Sequence, residues 1–268
     1  MSISLKNRSK RSQLQRYWEL LYVLVEKNLK GRYRGSFLGV FWSLLNPLMM
    51  TIIYAAVLGT AFASYYDNSI LNYILAAFTG LVTMHFFAAS TSQAMSSVVA
   101  SGSLLNKISL PVSVFPASMI TANLFQFMTA TLPLLAIMAI VISGSAINAI
   151  ALLLPLLALT LVSTGTGFFL SSLFVFFRDI PYFYEVAVYG LRIGTPIFYP
   201  ADVVPEKIRP FILLNPLAQI IESIRQITLS GELPDLSLIW GALLGGVIVC
   251  ILGWLCFKSL QHHFMDLL

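Results

Sequence analysis

Three equally spaced charged residues in a largely apolar stretch are the first candidates for chemistry. Arg178, Glu185 and Arg192 are spaced by seven residues, so they share one face of a helix. An ionisable side chain in an apolar helix is costly, and it usually pairs with another group or lines a cavity. The spacing therefore predicts either a pair at a contact between helices or subunits, or a surface that contacts a polar ligand. Both interpretations stay open at this point.

The sequence offers few groups for catalysis or nucleotide binding. The glycine-rich stretch 165–167 is not followed by Gly-Lys-Ser/Thr, so it does not match a phosphate-binding loop, and close helix packing is the better interpretation. Cys250 and Cys256 have no metal-ligand spacing. His85 is predicted to be a hydrogen-bonded core residue rather than a proton relay. We therefore predict a non-enzymatic protein with no cofactor of its own.

The composition excludes a soluble globular protein. Of the 268 residues, 58% are hydrophobic and 10% are charged, whereas soluble domains carry roughly 25% charged residues. The mean hydropathy is +0.84. The sequence predicts an all-α polytopic membrane protein, since its apolar runs are continuous and do not alternate as the strands of a membrane barrel do.

Apolar runs of the required length divide the chain into crossings. We predict six spans, at residues 37–63, 70–95, 111–142, 147–177, 181–198 and 236–257. Between Lys107 and Arg178 the only polar break is the turn 143–145. Lys and Arg near span ends place both termini, the Lys107 loop and the Arg178 loop in the cytoplasm, and Asp67 and the turn outside.

Residues 199–235 form a proline-rich outer segment that is too apolar for a plain loop. Asn215 and Pro216 are typical of a helix N-cap and its first turn. Downstream, apolar residues repeat at helical spacing, namely Leu217, Ile220, Ile221, Ile224 and Ile227. We predict a re-entrant pair of helices before the last span, which requires protein or water around its broken backbone.

Residues 1–35 are predicted to form a basic cytoplasmic arm and an interfacial amphipathic helix. Nine of the sixteen Lys and Arg residues lie before Gly35. Such a basic arm beside an apolar body indicates anionic lipid headgroups rather than nucleic acid. The helical apolar stripe of 13–30 is predicted to lie on the membrane, and packing against other protein is the alternative. The stripe consists of Leu14, Tyr17, Trp18, Leu21, Leu24 and Val25.

Five motifs, in the correct order from about residue 20 to residue 260, resemble the permeases of type-2 ABC transporters that export polysaccharides. They are the run 30–39 followed by Trp42, Asn46 and Pro47; the stretch 106–111; the stretch 177–180; the Thr-Pro-Ile-Phe-Tyr-Pro of 195–200; and Asn215 and Pro216 with the downstream Arg225.

The resemblance implies a homodimer in the bacterial inner membrane, bound to two copies of an ATPase subunit that holds ATP and Mg²⁺. Its substrate would be a lipid-linked polysaccharide such as O-antigen, capsular polysaccharide or teichoic acid. The rest of the chain, 36–268, would be the transmembrane domain, with a cytoplasmic coupling segment at 96–110 and an outer gate at 199–235.

Three groups of site residues are expected on this basis. The coupling group comprises Ser103, Leu104, Leu105, Asn106, Lys107, Arg178 and Asp179. The interfacial entrance comprises Arg32, Tyr33 and Arg34. The channel and gate comprise Phe86, Phe87, Glu185, Arg192, Thr195, Pro196, Phe198, Tyr199, Asn215, Pro216 and Arg225. Arg178 and Asp179 fit an interfacial pair equally well, and Glu185 with Arg192 could contact the carrier's pyrophosphate, sugar hydroxyls or a neighbouring helix.

Three alternatives remain. A type-2 ABC permease for a small drug or lipid would have the same fold. An ion-coupled carrier would need acidic residues near the middle of the membrane, and Glu185 alone is weak support for this hypothesis. A membrane-embedded transferase or hydrolase would need a cluster of reactive residues, and this sequence has no suitable cluster.

Overall fold

The described part of the chain is all helical. The structure, a computed structural model, describes residues 13–108, 110–200, 203–233 and 235–267. Its helices are α1 Gln13–Tyr33, α2 Trp42–Phe62, α3 Ile70–Ala100, α4 Gly102–Leu105, α5 Val114–Gln126, α6 Leu132–Ser143, α7 Ala146–Ala151, α8 Leu153–Phe176, α9 Ile180–Gly194, α10 Arg209–Leu213, α11 Pro216–Arg225, α12 Leu236–Leu260 and α13 Phe264–Leu267. The basic residues predicted to form an arm at 1–12 lie outside the described ranges.

Five helical segments among the described residues are long and apolar enough to cross a membrane. They are Gly39–Tyr65, Ile70–Ala100, Val114–Ser143, Ala146–Phe176 and Leu236–His263. Each overlaps one predicted span and differs from it by a few residues at the ends. Continuous apolar runs satisfy the two requirements of a span, length and freedom from charge, which is why the sequence located them.

The segment Val114–Ser143 is one long helix with a π-helical turn, Phe127–Thr131, between α5 and α6. Pro133 follows the π turn and cannot donate a backbone hydrogen bond, so the wider turn accommodates its ring. The helix ends at Gly144, whose φ of 66° is left-handed, and the Ser145 hydroxyl caps α7 at 3.3 Å from the Ile147 amide. The predicted turn at 143–145 is therefore present.

Glycines bring α8 and α12 into direct backbone contact. A Cβ on Gly165 would overlap the backbone of Val249, and one on Gly253 would overlap the Gly165 carbonyl. Gly167, on another face of α8, would meet Ala94 and Ile120. The stretch 165–167 thus serves close helix packing, as its sequence predicts, and α8 lies at the centre of the bundle.

One end of the bundle holds residues from both ends of the described chain. Leu21 of α1 and Phe264 of α13 are buried in the same hydrophobic cluster. Other members come from the adjoining helix ends, including Val98, Leu105, Phe115, Val175 and Phe257. The chain therefore leaves and returns to the same end, with α2, α5–α6 and α9 running one way and α3, α7–α8 and α12 the other.

The predicted fifth span, 181–198, is a shorter helix than expected. Its helix α9 has 15 residues, about 22 Å at 1.5 Å per residue, and it ends at Gly194 rather than Phe198. Thr195 is extended, with ψ 136°, because Pro196 excludes the helical conformation for the residue before it. Beyond α9 the chain bends through the loop 195–200, where the Ile197 amide bonds the Thr195 carbonyl at 2.7 Å.

The segment 199–235 contains two short helices, α10 and α11, at the place of the predicted pair. The Asn215 side chain accepts a hydrogen bond from the Leu217 amide at 3.0 Å, so it is the N-cap that the sequence predicts. The apolar stripe of α11 is buried, and a π turn, Gln226–Ser230, continues the helix to Gly231. Helix α11 packs against α12, where Pro216 contacts Gly245.

Helix α1 divides its apolar residues between two faces, which differs from the single membrane-facing stripe predicted. Leu21 is buried and Tyr17 half-buried, and burial raises the pKa of the Tyr17 phenol. Asn28 donates to the Ser118 hydroxyl of α5 at 3.1 Å. Leu14, Trp18 and Tyr22 remain exposed on another face. The first face packs on protein, as the alternative interpretation has it, because distant helices supply a partner surface that the local pattern does not reveal.

Candidate functional site

A polar groove runs between α2 and α3. The cavity nearer the bundle end that holds Leu21 is called the inner cavity and has a volume of about 370 Å³. The cavity further from that end is called the outer cavity and has a volume of about 160 Å³. Asn46 and His85 line both cavities, so the two are neighbours along one groove. The groove exists because α2 packs mainly on α3 and keeps most of its other faces exposed. His85 thus lines a cavity rather than the core position predicted for it.

The inner cavity is built around Arg32 of α1. Its guanidinium donates to the side-chain oxygens of Asn123 at 3.0 Å, of Gln126 at 2.6 Å and of Gln93. Asn123 also donates to the Gln93 oxygen at 2.9 Å. Because arginine has no acceptor, the amide oxygens must face it. Buried amides in apolar helices need such partners, and here they tie α1 to α3 and α5.

The outer cavity is closed by aromatic residues and holds a second arginine. The rings of Tyr54 and Phe198 lie 3.9 Å apart between centroids. Arg192 lines the same cavity, together with Met50. Within the described residues, Arg192 forms no hydrogen bond or ion pair, so its charge faces the groove without a local counter-ion.

Arg225 of α11 is buried and fixes the loop beyond α9. Its Nη2 donates to the Ile197 carbonyl at 2.8 Å, and Nε and Nη2 each lie 3.2 Å from the Ala76 carbonyl. The carboxylate of Glu222 lies 3.9 Å away and is partly exposed. One cation therefore joins α3, α11 and the 195–200 loop.

Further hydrogen bonds hold the same loop. Asn215 donates to the Thr195 hydroxyl at 3.0 Å, and Tyr73 donates to the Phe198 carbonyl at 3.1 Å. The Tyr199 hydroxyl donates to the Ile193 carbonyl at 2.8 Å. The structure thus joins Thr195, Asn215 and Arg225, all members of the predicted channel and gate group, through this loop.

Comparison with known proteins decides the family. The profile of the ABC-2 type transporter family matches residues 19–229. The chain belongs to this family. Two O-antigen export system permease proteins RfbA of Klebsiella pneumoniae are each 30% identical over 255 residues, 94% of this chain and 95% of theirs. An O-antigen export system permease protein RfbA of Myxococcus xanthus is 28% identical over 258 residues, 95% and 97% of the two chains. Members of the family are membrane-spanning transport subunits that work with an ATPase.

The residues predicted to couple this ABC-2 subunit to its ATPase lie at the end of the bundle that holds Leu21 and Phe264. Leu105 is buried there, Leu104 is half-buried, and Ser103, Asn106 and Lys107 are exposed beside it. Ser109, within the predicted coupling segment, lies outside the described residues.

Arg178 and Asp179 of the ABC-2 subunit are exposed between α8 and α9. The Arg178 guanidinium lies 5.6 Å from the centre of the Phe174 ring and 3.4 Å from the Leu267 carbonyl. Arg178 therefore contacts its own chain while both side chains remain exposed at this end of the bundle.

Several of the remaining predicted residues do not line the groove. Glu185 is exposed and does not line the two cavities, which separates it from Arg192. Phe87 is in the core and Phe86 packs on Phe127 at 5.3 Å, reaching only a third cavity of about 20 Å³. Arg34 is exposed, and the side chain of Tyr33 lies outside what the structure describes.

Several groove residues of the ABC-2 subunit are absent from the predicted site. They are Trp42, Ser43, Asn46, Tyr54, Gln93, Asn123 and Gln126. The signal that could have found them is the amide group itself, because Gln93, Asn123 and Gln126 interrupt apolar spans, and polar groups in a span need partners or a wet surface.

Proposed function

We propose that this protein is the membrane subunit of an ABC exporter that moves a lipid-linked polysaccharide of the O-antigen type outward across the bacterial inner membrane. The proposal rests on the similarity to O-antigen export permeases, which extends over at least 94% of this chain and of each relative. The nucleotide chemistry belongs to a separate ATPase subunit, which binds ATP and Mg²⁺, while this chain supplies the route.

The chemistry of the groove suits a glycan. Sugar rings present apolar C–H faces that pack on aromatic rings, while their hydroxyls bond amides and hydroxyl groups. The groove supplies both, with Trp42, Tyr54 and Phe198 as aromatic groups and Asn46 and Gln93 as amides. Many weak contacts of this kind let a polymer slide, whereas one tight site would hold it.

Six crossings fit the arrangement of the chain better than five. Leu21 and Phe264 share one end of the bundle, which requires an even number of passages. The missing passage is α9 with its loop, because Tyr184 bonds Thr91 at 2.5 Å and Phe198 bonds Tyr73 at 3.1 Å. Those two contacts lie 18 residues apart on α3, about 27 Å along its axis. With the basic end inside, both termini are cytoplasmic, and α10 and α11 re-enter from outside.

The surfaces left exposed indicate the partners. We assign α4 with Lys107, and Arg178 with Asp179, to the docking surface of two ATPase subunits. The exposed apolar face of α9, which includes Tyr182, Val186 and Tyr189, is assigned to the second copy in a homodimer. Arg32, Tyr33 and Arg34 mark the entrance from the inner leaflet, where α1 contacts lipid.

The loop 195–200 and helix α11 form the outer gate in this scheme. Arg225 and Asn215 hold the loop closed over the groove, and Phe198 and Tyr199 contribute its aromatic surface. Closure of the ATPase dimer on bound ATP shifts both ends of the bundle and releases this contact. Glu185 is assigned to the helix and subunit contacts of α9 rather than to the route.

Reconstitution with the ATPase tests the function. The chain is incorporated into liposomes with its ATPase partner and a lipid-linked polysaccharide carrying a fluorescent label, and arrival of the label on the far side is measured. We expect transport that needs ATP and stops when the partner's ATPase is inactivated. Transport without the partner would refute the proposal, and so would loss of transport on adding a protonophore at constant ATP.

Chain length tests the substrate. Phe198→Ala and Tyr199→Ala should impair export of long polymers, because these side chains form the aromatic surface of the gate. Phe125→Ala, at an exposed position of α5 away from the groove, is the aromatic control and should leave export unchanged. Export of short amphiphiles alone, with no transport of long polymer by the unaltered chain, would indicate a small drug or lipid as the substrate.

A further inference from the structure

The groove presents hydrogen-bond donors and positive charge rather than a balanced set of polar groups. The cations Arg32 and Arg192 line its two larger cavities, and no Asp or Glu of the described residues does. The rest of the lining consists of His85, amides, hydroxyl groups and apolar side chains. Arg32 is half-buried against amide oxygens and Arg192 is exposed at the outer cavity, and neither has a carboxylate partner among the described residues.

The hydrogen bonds around Arg32 decide which end of each amide faces the cavity. The oxygens of Gln93 and Gln126 accept from the guanidinium, so they point towards Arg32. The Nε2 groups of both side chains have no hydrogen-bond partner within the described residues. Two amide groups therefore offer N–H donors beside the cavity, while their acceptors are already used.

The same chemistry recurs at the other cavity. Gln93 and Leu81, which line the inner and outer cavities, lie twelve residues apart on α3, about 18 Å along the helix. Arg192 faces the outer cavity with its guanidinium donors unused among the described residues. A groove with donors at intervals suits a ligand that carries acceptors at intervals.

We infer that the groove between α2 and α3 binds oxyanions, carboxylate or phosphate groups attached to the transported glycan, and so favours acidic glycans over neutral ones. This inference rests on the proposed function and narrows its substrate class. The oxyanions can come from two sources, acidic sugars along the polymer or the phosphates of its lipid carrier. Because the donors recur along the groove, we infer that the acidic sugars of the polymer are the source of the bound oxyanions.

Binding to the full-length chain with its ATPase, in phosphatidylcholine nanodiscs, tests the inference. Three probes are compared at low salt: tetragalacturonate, neutral maltotetraose and inorganic pyrophosphate. We expect tetragalacturonate to bind about tenfold more tightly than maltotetraose, since one charge-assisted hydrogen bond contributes about that factor. The preference should shrink as salt is added, because ions screen the attraction.

Two substitutions locate the effect. Gln126→Glu keeps the oxygen that faces Arg32 but replaces the cavity-side amide group with a carboxylate oxygen, so the preference for the acidic probe should disappear. Arg192→Gln should reduce it, and Arg192→Lys should largely restore it. Lys258→Gln, at the exposed end of the last span, removes one positive charge away from the groove and should leave the preference unchanged.

The outcomes separate the two proposals. Tight binding of pyrophosphate without tetragalacturonate would support an oxyanion site and assign it to the carrier. Equal binding of the acidic and neutral probes, or a preference that survives both Gln126→Glu and Arg192→Gln, would overturn the inference. ATP-driven export of a neutral polymer alongside that result would leave the proposed function intact, whereas anion binding without any ATP-driven export would refute the function alone.

Discussion

Arg225 gives the sharpest mechanical prediction, because one buried side chain holds the loop 195–200 in place. In Arg225→Met the volume is roughly kept and every donor is lost. The Ala76 carbonyl still accepts from the Thr79 hydroxyl at 2.8 Å, so the main acceptor deprived is the Ile197 carbonyl. A buried acceptor left without a partner costs about 1–3 kcal/mol.

That cost applies to the closed loop and not to the whole protein. Removing a buried guanidinium also removes its desolvation cost, so the overall thermal midpoint is a poor measure of this change. The equilibrium for local opening should shift by roughly 5- to 150-fold, which is what about 1–3 kcal/mol corresponds to. Hydrogen exchange measures this opening directly, since the Ile197 amide is bonded to the Thr195 carbonyl at 2.7 Å in the closed loop.

The assay is hydrogen–deuterium exchange by mass spectrometry on peptides that cover 195–200. Exchange there should accelerate by the stated factor in Arg225→Met, and by less in Arg225→Lys, which keeps the charge but not the planar fork of donors. Glu222→Gln should change little, because its ion pair with Arg225 is 3.9 Å long and partly exposed. Unchanged exchange at 195–200 in Arg225→Met would show that Arg225 does not hold the loop.

Three further predictions concern other contacts. Gly165→Ala should lower the unfolding free energy by about 1–3 kcal/mol, because the added methyl group forces α8 and α12 apart, and the thermal midpoint should fall. Gly31→Ala on α1, with open space around it, should leave the midpoint unchanged, and equal midpoints of the two variants would contradict the packing. Arg32→Met should speed hydrogen exchange in α1 by about tenfold, whereas the exposed Arg34→Met should not, and equal rates would mean that the amides do not anchor α1. Asn215→Ala should cost the first turn of α11 about 1 kcal/mol in local exchange, while Asn215→Asp keeps the capping oxygen; similar loss in both would argue against the cap.

Local signals in the sequence predicted what local physics determines. Apolar length located five long helices, and the turn at 143–145 and the N-cap at Asn215 were predicted because small polar residues satisfy helix ends by themselves. The buried stripe of α11 followed from its helical spacing in the same way.

Features that depend on distant packing were less accessible. Arg32 and its three amide partners are 61 to 94 residues apart, so no window of sequence reveals the cluster. The face that a residue of α3 presents is another example. Successive residues turn by about 100° around a helix, so His85 lines the groove while Phe87 enters the core. The sequence marks these aromatics as notable but does not fix the rotation of the helix.

The contact of Gly165 with Gly253 has a mechanical consequence. Where two helix backbones meet with no side chains between them, there is nothing soft to compress and no rotamer that can yield. The α8–α12 pair is therefore a rigid part of the subunit. Any change in the width of the bundle has to take place at other helix contacts, such as the one between α2 and α3 beside the groove.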